Sequence, residues 1–161
     1  MRVGIGYDVH RFTPGKPLVL GGVEIPYDMG LKGHSDADVL VHAICDALLG
    51  AAAMGDIGRH FPDTDDSIKG ISSLLILKEV CGMLYEKGFG IVNIDTIVIA
   101  QKPKIGSYSE SMKKCLSEAS GVNENLISIK ATTTEGLGFE GRQEGISAQA
   151  VALIDKLENL D

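Results

Sequence analysis

Cysteine is scarce in this chain of 161 residues: Cys45, Cys81 and Cys115 are odd in number, far apart and without a C-x-x-C pair. That sets aside a disulfide framework and a thiolate zinc knuckle and favours a reducing compartment. Basic residues are outnumbered, 15 Lys and Arg against 22 Asp and Glu for a net charge of −7, and they form no cluster. A surface that tracks nucleic-acid or membrane phosphates is therefore not expected. If the ligand carries phosphates, metal ions and backbone amides must supply much of the positive potential. Long apolar runs are missing too, because residues 37–54 are interrupted by Asp38, His42 and Asp46, which argues against a membrane span. The first residues carry no charged n-region, apolar h-region or cleavage site, so a soluble cytoplasmic protein is expected. With 44% hydrophobic and 23% charged residues and no repeat or linker, the chain reads as one domain over 1–161.

What is present alternates between strand and helix patterns. "MRVGIGYDVH" predicts a strand with Val3, Ile5 and Tyr7 on one face, and "PLVLGGVEIP" a hairpin of two short strands around Gly21-Gly22. Ser35 is placed to cap a helix whose third position is Asp38 and which continues to Gly55. The polar segment "DIGRHFPDTDDSIKG" predicts a long loop that could cover a ligand. Leu74, Leu77, Cys81 and Leu84 recur at helical spacing, and "IVNIDTIVIA" predicts a buried strand. "SESMKKCLSEASG" and "ISAQAVALIDKLENL" predict two further helices around the short strand "LISIKA". The expected class is α+β: a mixed β-sheet with helices packed on one face, plus a β-hairpin.

Two segments could carry chemistry. Residues two apart in a strand point the same way, so Asp8 and His10 share one space. The helix after Ser35 is apolar nearly all round except for Asp38, His42 and Asp46, and burying that stripe requires partners. A metal held by Asp8, His10 and His42 would satisfy three of these groups, with Asp46 orienting the His42 ring. An N2O donor set suits zinc and leaves a fourth position open. The spacing is equally served by a Ser35–Asp38 capping box with His42 donating to a core carbonyl. The second segment, "KATTTEGLGFEGRQEG", crowds hydroxyls, a carboxylate and glycines between an expected strand and helix. Thr132, Thr133 and Glu135 could bind phosphate and a hard cation, or could simply form a capped turn.

Taken together, "GYDVHRF", "GGVEIP", "GHSDADVLVHAICDALLGAAAMGDIGRHFPDTD", "IAQKPK" and "KATTTEGLGFEGRQEGI" closely resemble the 2-C-methyl-D-erythritol 2,4-cyclodiphosphate synthase family of the non-mevalonate isoprenoid pathway. The match runs in order over essentially the whole chain. It implies a homotrimer of α+β subunits, with sheets around the threefold axis and active sites between neighbours. It implies a phosphorus–oxygen lyase that cyclises 4-diphosphocytidyl-2-C-methyl-D-erythritol 2-phosphate with release of CMP.

By this resemblance Asp8, His10 and His42 hold zinc or another divalent transition metal, Glu135 holds Mg2+ or Mn2+, and His34 and Thr133 steady the developing charge. Asp8, His10 and His34 also bind substrate, and Ser35, Asp56, Ile57, Gly58, Phe61, Pro62, Asp63, Thr64 and Asp65 fall to the methylerythritol phosphate side. Residues 100–106, among them Ala100, Pro103, Lys104, Ile105 and Gly106, form the cytidine pocket with Ala131, Thr132 and Thr133, the two threonines near the diphosphate, and Thr134 and Glu135 also bind substrate. Phe139 and Arg142 match positions at the trimer axis, near the substrate or an isoprenoid diphosphate. Such a reaction needs no activated Ser or Cys, because the attacking phosphate oxygen is already anionic.

The chain departs from the family pattern in three places. "IGSYSES" follows "QKPK" where a proline is frequent, "KGISS" stands for K-G-A-D-S, and Tyr7 replaces a frequent phenylalanine. Two other functions fit the metal pattern: a zinc hydrolase acting on a phosphoester, and a trimeric binding protein with structural zinc.

Overall fold

A computed structural model describes residues 1–160. The chain opens with the long strand β1 (Arg2–Pro14), the hairpin β2 (Leu18–Leu20) and β3 (Val23–Ile25), and the short strand β4 (Met29–Leu31). Helix α1 (Val39–Ala51) follows, then the single turn α2 (Ile57–His60) and helix α3 (Ser73–Glu86). Strand β5 (Phe89–Ile99), helix α4 (Ser109–Ser120), strand β6 (Ile127–Thr132), the turn α5 (Gly138–Gly141) and strand β7 (Gly145–Lys156) complete it. Five strands form one mixed sheet in the order β4-β1-β7-β5-β6, parallel only between β5 and β6.

The alternation along β1 decides what lies on each side of the sheet. Gly4, Gly6, Asp8, His10 and Phe12 face the helices, whereas Val3, Ile5, Tyr7 and Val9 lie on the open face and are exposed. The glycines are needed there. A Cβ on Gly4 would stand 1.9 Å from the Ala47 carbonyl oxygen, and one on Gly6 would stand 1.9 Å from that of Ala43. Helix α1 therefore lies almost on the β1 backbone, through its own small residues, with Val39, Leu40, Ile44, Leu48 and Leu49 fully buried. This apolar helix is buried within its own subunit, with α3 packed beside it and α4 beside α3.

Three expectations change. The segment from Ile146 is strand β7, not a helix: Ile146, Ala148, Ala150, Ala152 and Ile154 are buried at period two, with Gln149 and Val151 exposed between them. Alanine favours helices in isolation, but this strand has a partner on each side, β1 and β5, and its small residues accommodate the close approach of α1. Ser35 is not the cap of α1. Asp38 is the N-cap, accepting from Val41 N at 3.2 Å, and the helix ends at Ala51 rather than Gly55. Strand β5 is buried only at alternate positions, Ile94, Thr96 and Val98, because its sheet is covered on one face.

Asp38 also fixes the hairpin. Gly21 and Gly22 take the positive φ angles, 54° and 76°, that a two-residue turn demands. Their N–H groups donate to the two Asp38 carboxylate oxygens at 2.9 and 2.7 Å. Complete burial pushes the Asp38 carboxyl up to about 6, against the pull of these donors.

Candidate metal centre and its two neighbouring clusters

Asp8 and His10 reach the helix side of β1 at the next two positions after Gly4 and Gly6, where α1 brings His42 down between them. Asp8 Oδ2 lies 3.0 Å from His10 Nε2 and 3.1 Å from His42 Nδ1, and the two ring nitrogens are 3.1 Å apart. These three atoms form a triangle close to the ~3.3 Å edge of a tetrahedron whose ligands sit ~2.0 Å from zinc. His10 Nδ1 donates to the Lys32 carbonyl at 2.9 Å, which leaves a lone pair on the Nε2 of the neutral ring. A carboxylate oxygen and imidazole nitrogens converging this way repel one another unless protons or a cation lie between them. The donor set thus suits a divalent transition metal.

The electrostatics agree with that geometry. Burial raises the Asp8 carboxyl, but hydrogen bonds and charge from His10 and His42 outweigh it and hold the group well below the ordinary carboxylate range. Burial lowers His10, and Asp8 more than reverses this, so its imidazole is raised. Asp46 does not orient His42 as expected. Its Oδ1 accepts from Ile57 N at 2.7 Å and so ties α2 to α1, while burial raises its carboxyl. The His42 ring instead places Nε2 at 3.1 Å from Ser35 Oγ and 3.0 Å from Ser73 Oγ. Ser73 was not anticipated from the sequence. A small polar residue opening α3, directly after the polar loop, was the available signal.

A cavity of about 220 Å3 opens beside the triad. Its walls bring together the expected His10, His34, Ser35, His42, Ile57, Phe61 and Asp63, and add Ile68 and Ile76. Residues 56–70 are partly ordered by α2 and by a 3-10 turn at Asp66–Ile68. His34 grips this segment twice: its Nε2 donates to the Asp65 carbonyl at 3.1 Å and its own carbonyl accepts from Gly70 N at 2.8 Å. Asp56 caps α2, accepting from Arg59 N at 3.0 Å, and Pro62 turns the chain by accepting from Asp65 N at 3.0 Å. Asp56, Gly58, Pro62, Thr64 and Asp65 are outside the walls of this cavity among the described residues.

The other expected residues gather elsewhere. Thr133 Oγ1 donates to Glu135 Oε1 at 2.8 Å, and Glu135 adopts a left-handed φ of 55°. Ala100 N donates to the Thr132 carbonyl at 3.0 Å, and Gly136 N to Gln101 Oε1 at 3.3 Å, so 100–106 and 131–136 form one cluster. Ala100 and Ile105 are buried, while Lys104, Gly106, Ala131, Thr132, Thr133 and Glu135 are exposed, and Pro103 and Thr134 are half-buried. Among the described residues the cavity at the triad takes no wall from this cluster. Phe139 lines a separate hollow of about 340 Å3 with Val9, His10, Arg11, Glu144 and Gly145, so His10 borders both spaces. Arg142 is paired with Glu144 at 2.8 Å. A further hollow of about 230 Å3, between the C-terminal ends of α3 and α4, shares no residue with these sites.

Residues 1–155 match the YgbB family. The chain belongs to that family. Among its curated YgbB-type relatives, the protein of Syntrophomonas wolfei subsp. wolfei is 59% identical over 97% of this chain and 99% of its own length. That of Clostridium novyi is 59% identical with the same coverage, and both are named 2-C-methyl-D-erythritol 2,4-cyclodiphosphate synthase. Among solved structures, the bifunctional IspDF of Campylobacter jejuni superposes with a TM-score of 0.93 at 44% identity, over 96% of this chain and 42% of that one. IspF of Plasmodium falciparum, described as a CDP complex, does so with a TM-score of 0.84 at 35% identity, over 96% of each chain.

Proposed function

We propose that this YgbB-family enzyme cyclises 4-diphosphocytidyl-2-C-methyl-D-erythritol 2-phosphate to 2-C-methyl-D-erythritol 2,4-cyclodiphosphate, releasing CMP, in the cytoplasm. The observation that carries the reading is the convergence of the Asp8, His10 and His42 donor atoms beside a cavity of about 220 Å3, in a chain 59% identical to named synthases. The three residues would hold zinc or a similar divalent ion, whose charge and geometry draw phosphate oxygens into line. No general base is required, since the nucleophile is a phosphate oxygen. His34, at the cavity wall, would face the charge that spreads over the transferred group. Residues 56–70 shelter that space from water, which would otherwise divert the reaction to hydrolysis.

The cytidine diphosphate end falls to residues 100–106 and 131–135. Buried Ala100 and Ile105 would present backbone groups to the base, while Thr132 and Thr133 lie near the diphosphate. Glu135, an exposed carboxylate that accepts from Thr133, would hold a magnesium or manganese ion, whose charge would offset that of the diphosphate. Because among the described residues this cluster and the triad cavity share no wall in one subunit, the complete site would combine the two from neighbouring copies. The homotrimer that the resemblance implies accords with this, and the apolar open face of the sheet, where Val3, Ile5, Tyr7, Val9 and Val151 are exposed, offers copies a surface to pack through. Phe139 and Arg142 would then lie toward the axis, where an isoprenoid diphosphate could sit.

Purified protein incubated with the cytidine substrate and Mg2+ should release CMP together with a cyclic product that carries no oxygen from labelled water. Label in the product would indicate hydrolysis, and absence of CMP would reject both reactions.

A further inference from the structure

The metal reading of the site leaves open what selects the ring nitrogen that His42 offers. For His42 to act as a ligand through Nδ1, its proton must reside on Nε2. Nε2 faces two hydroxyls, Ser35 Oγ at 3.1 Å and Ser73 Oγ at 3.0 Å, and a hydroxyl can donate or accept. Taken alone, these contacts fix nothing. The direction is decided one step further out, where Ser73 Oγ donates its only proton to Asp36 Oδ1. A hydroxyl whose proton is spent on a carboxylate can only accept at its remaining positions, so His42 Nε2 must donate to it.

Asp36 is itself held in place. Its Oδ2 accepts from Ser73 N at 3.0 Å, its Oδ1 accepts from Asp38 N at 3.2 Å, and its own N–H donates to the Ile71 carbonyl at 3.1 Å. Ser73 is completely buried at the first turn of α3, so water does not compete for its oxygen. We propose that Asp36 and Ser73 are positioning residues that lock His42 in the Nε2–H form and so keep its Nδ1 lone pair aimed between Asp8 and His10. This inference rests on Asp8, His10 and His42 being metal ligands, and it does not depend on which reaction the ion serves. The same pair joins the segment carrying His34 and Ser35 to the end of residues 56–70, so a shift of that segment is felt at the metal ligand.

Replacing Ser73 by Ala leaves Ser35 as the only hydroxyl at Nε2 among the described residues. Ser35 Oγ already accepts from Ala37 N at 3.1 Å and can turn its proton toward the ring. His42 is then free to move its proton to Nδ1 and donate to Asp8, which blocks two of the three ligand atoms. The test uses the full-length protein and zinc ions, with affinity from competition against a chromogenic chelator. Imidazole 15N shifts of the metal-free protein at alkaline pH report the tautomer. In the unsubstituted protein His42 should be Nε2–H. Ser73→Ala should gain Nδ1–H character and bind zinc about 10–100-fold more weakly. The exposed neighbour substitution Ser72→Ala should match the unsubstituted protein in both readouts. Asp36→Asn, which keeps the side chain's shape but cannot accept from all three donors, should move both readouts the same way even if Ser73→Ala folds poorly. An Nδ1–H tautomer in the unsubstituted protein, or zinc affinity within twofold for both variants, overturns the proposal. Loss of cyclisation with zinc binding intact would instead count against the proposed reaction.

Discussion

The two halves of the proposed site are built differently. The metal half lies against the core: Asp8 and His10 on β1, His42 on α1, and Ser35, Asp36 and Ser73 behind them are linked by side-chain hydrogen bonds across elements far apart in sequence. The cytidine half is largely exposed: Thr133 donates to Glu135 two residues on, and backbone groups tie its two segments together, Gly136 N to Gln101 Oε1 and Ala100 N to the Thr132 carbonyl. One half is preorganised by the packing of a single subunit, whereas the other offers ligands without walls. In the proposed shared site another copy would supply those walls, and assembly would then be a condition for catalysis but not for metal binding.

The sharpest way to break this contrast is to remove the metal half. His42→Ala should leave the fold intact by circular dichroism but lower kcat/KM by roughly 10³-fold or more, about 4 kcal/mol of transition-state stabilisation. Survival of most activity would show that the triad is not where the chemistry happens. Ile5→Asp acts on the separation of the halves instead. A carboxylate on the open apolar face, where Ile5 is 73% exposed, should convert the assembly to monomers in sedimentation without unfolding them. Those monomers should still bind zinc and should lose turnover; a fully active monomer would refute the shared site.

Gly6→Ala tests the packing that preorganises the metal half. Its Cβ would meet the Ala43 carbonyl oxygen at 1.9 Å, so α1 must lift away from β1. Stability should fall by about 3 kcal/mol, the upper range for overpacking, with a weaker zinc site. An unchanged melting temperature would mean that the close approach is not needed.

The smallest expected effect is a pH dependence with opposite signs for two properties. In the metal-free protein Asp8 is depressed, so its contribution is present above the ordinary carboxylate value and is lost as pH falls through the lower folded value. His10 is raised above 6.5, so its contribution is full below that pH and fades as pH rises through the folded value. Between pH 6 and 8 the metal-free protein should lose a little stability. Zinc affinity should rise over the same interval, by at most about tenfold per pH unit for each proton displaced. Calorimetric melts and chelator competition at three pH values measure both, and a flat affinity would argue against imidazole ligands.

Much of this was legible in the residues. Period-two spacing put Asp8 and His10 on one side of a strand, and turn chemistry marked the Gly21-Gly22 hairpin; both follow from local backbone geometry. The reading of β7 failed for a physical reason: an alanine-rich run has helical preference, and only the two partner strands and the overlying α1 make it a strand. Asp46 was misread because one helical turn from His42 is close in sequence terms, yet its carboxylate had a nearer donor in Ile57 N. Ser73 escaped notice because its role depends on Asp36, 37 residues away.

The sequence by itself determined the family, the donor types and the absence of any cysteine or basic framework, since these depend on residue identity and short spacing. Only the tertiary structure decided which carboxylates serve the metal centre and which serve the scaffold. Asp8 meets two imidazoles, Asp36 takes the proton of Ser73, Asp38 ties down a hairpin and Asp46 anchors a turn. Four aspartates of identical chemistry diverge because each carboxylate, fully buried at Asp38 and partly withdrawn from water at Asp8, Asp36 and Asp46, takes whichever donors the fold brings within about 3 Å.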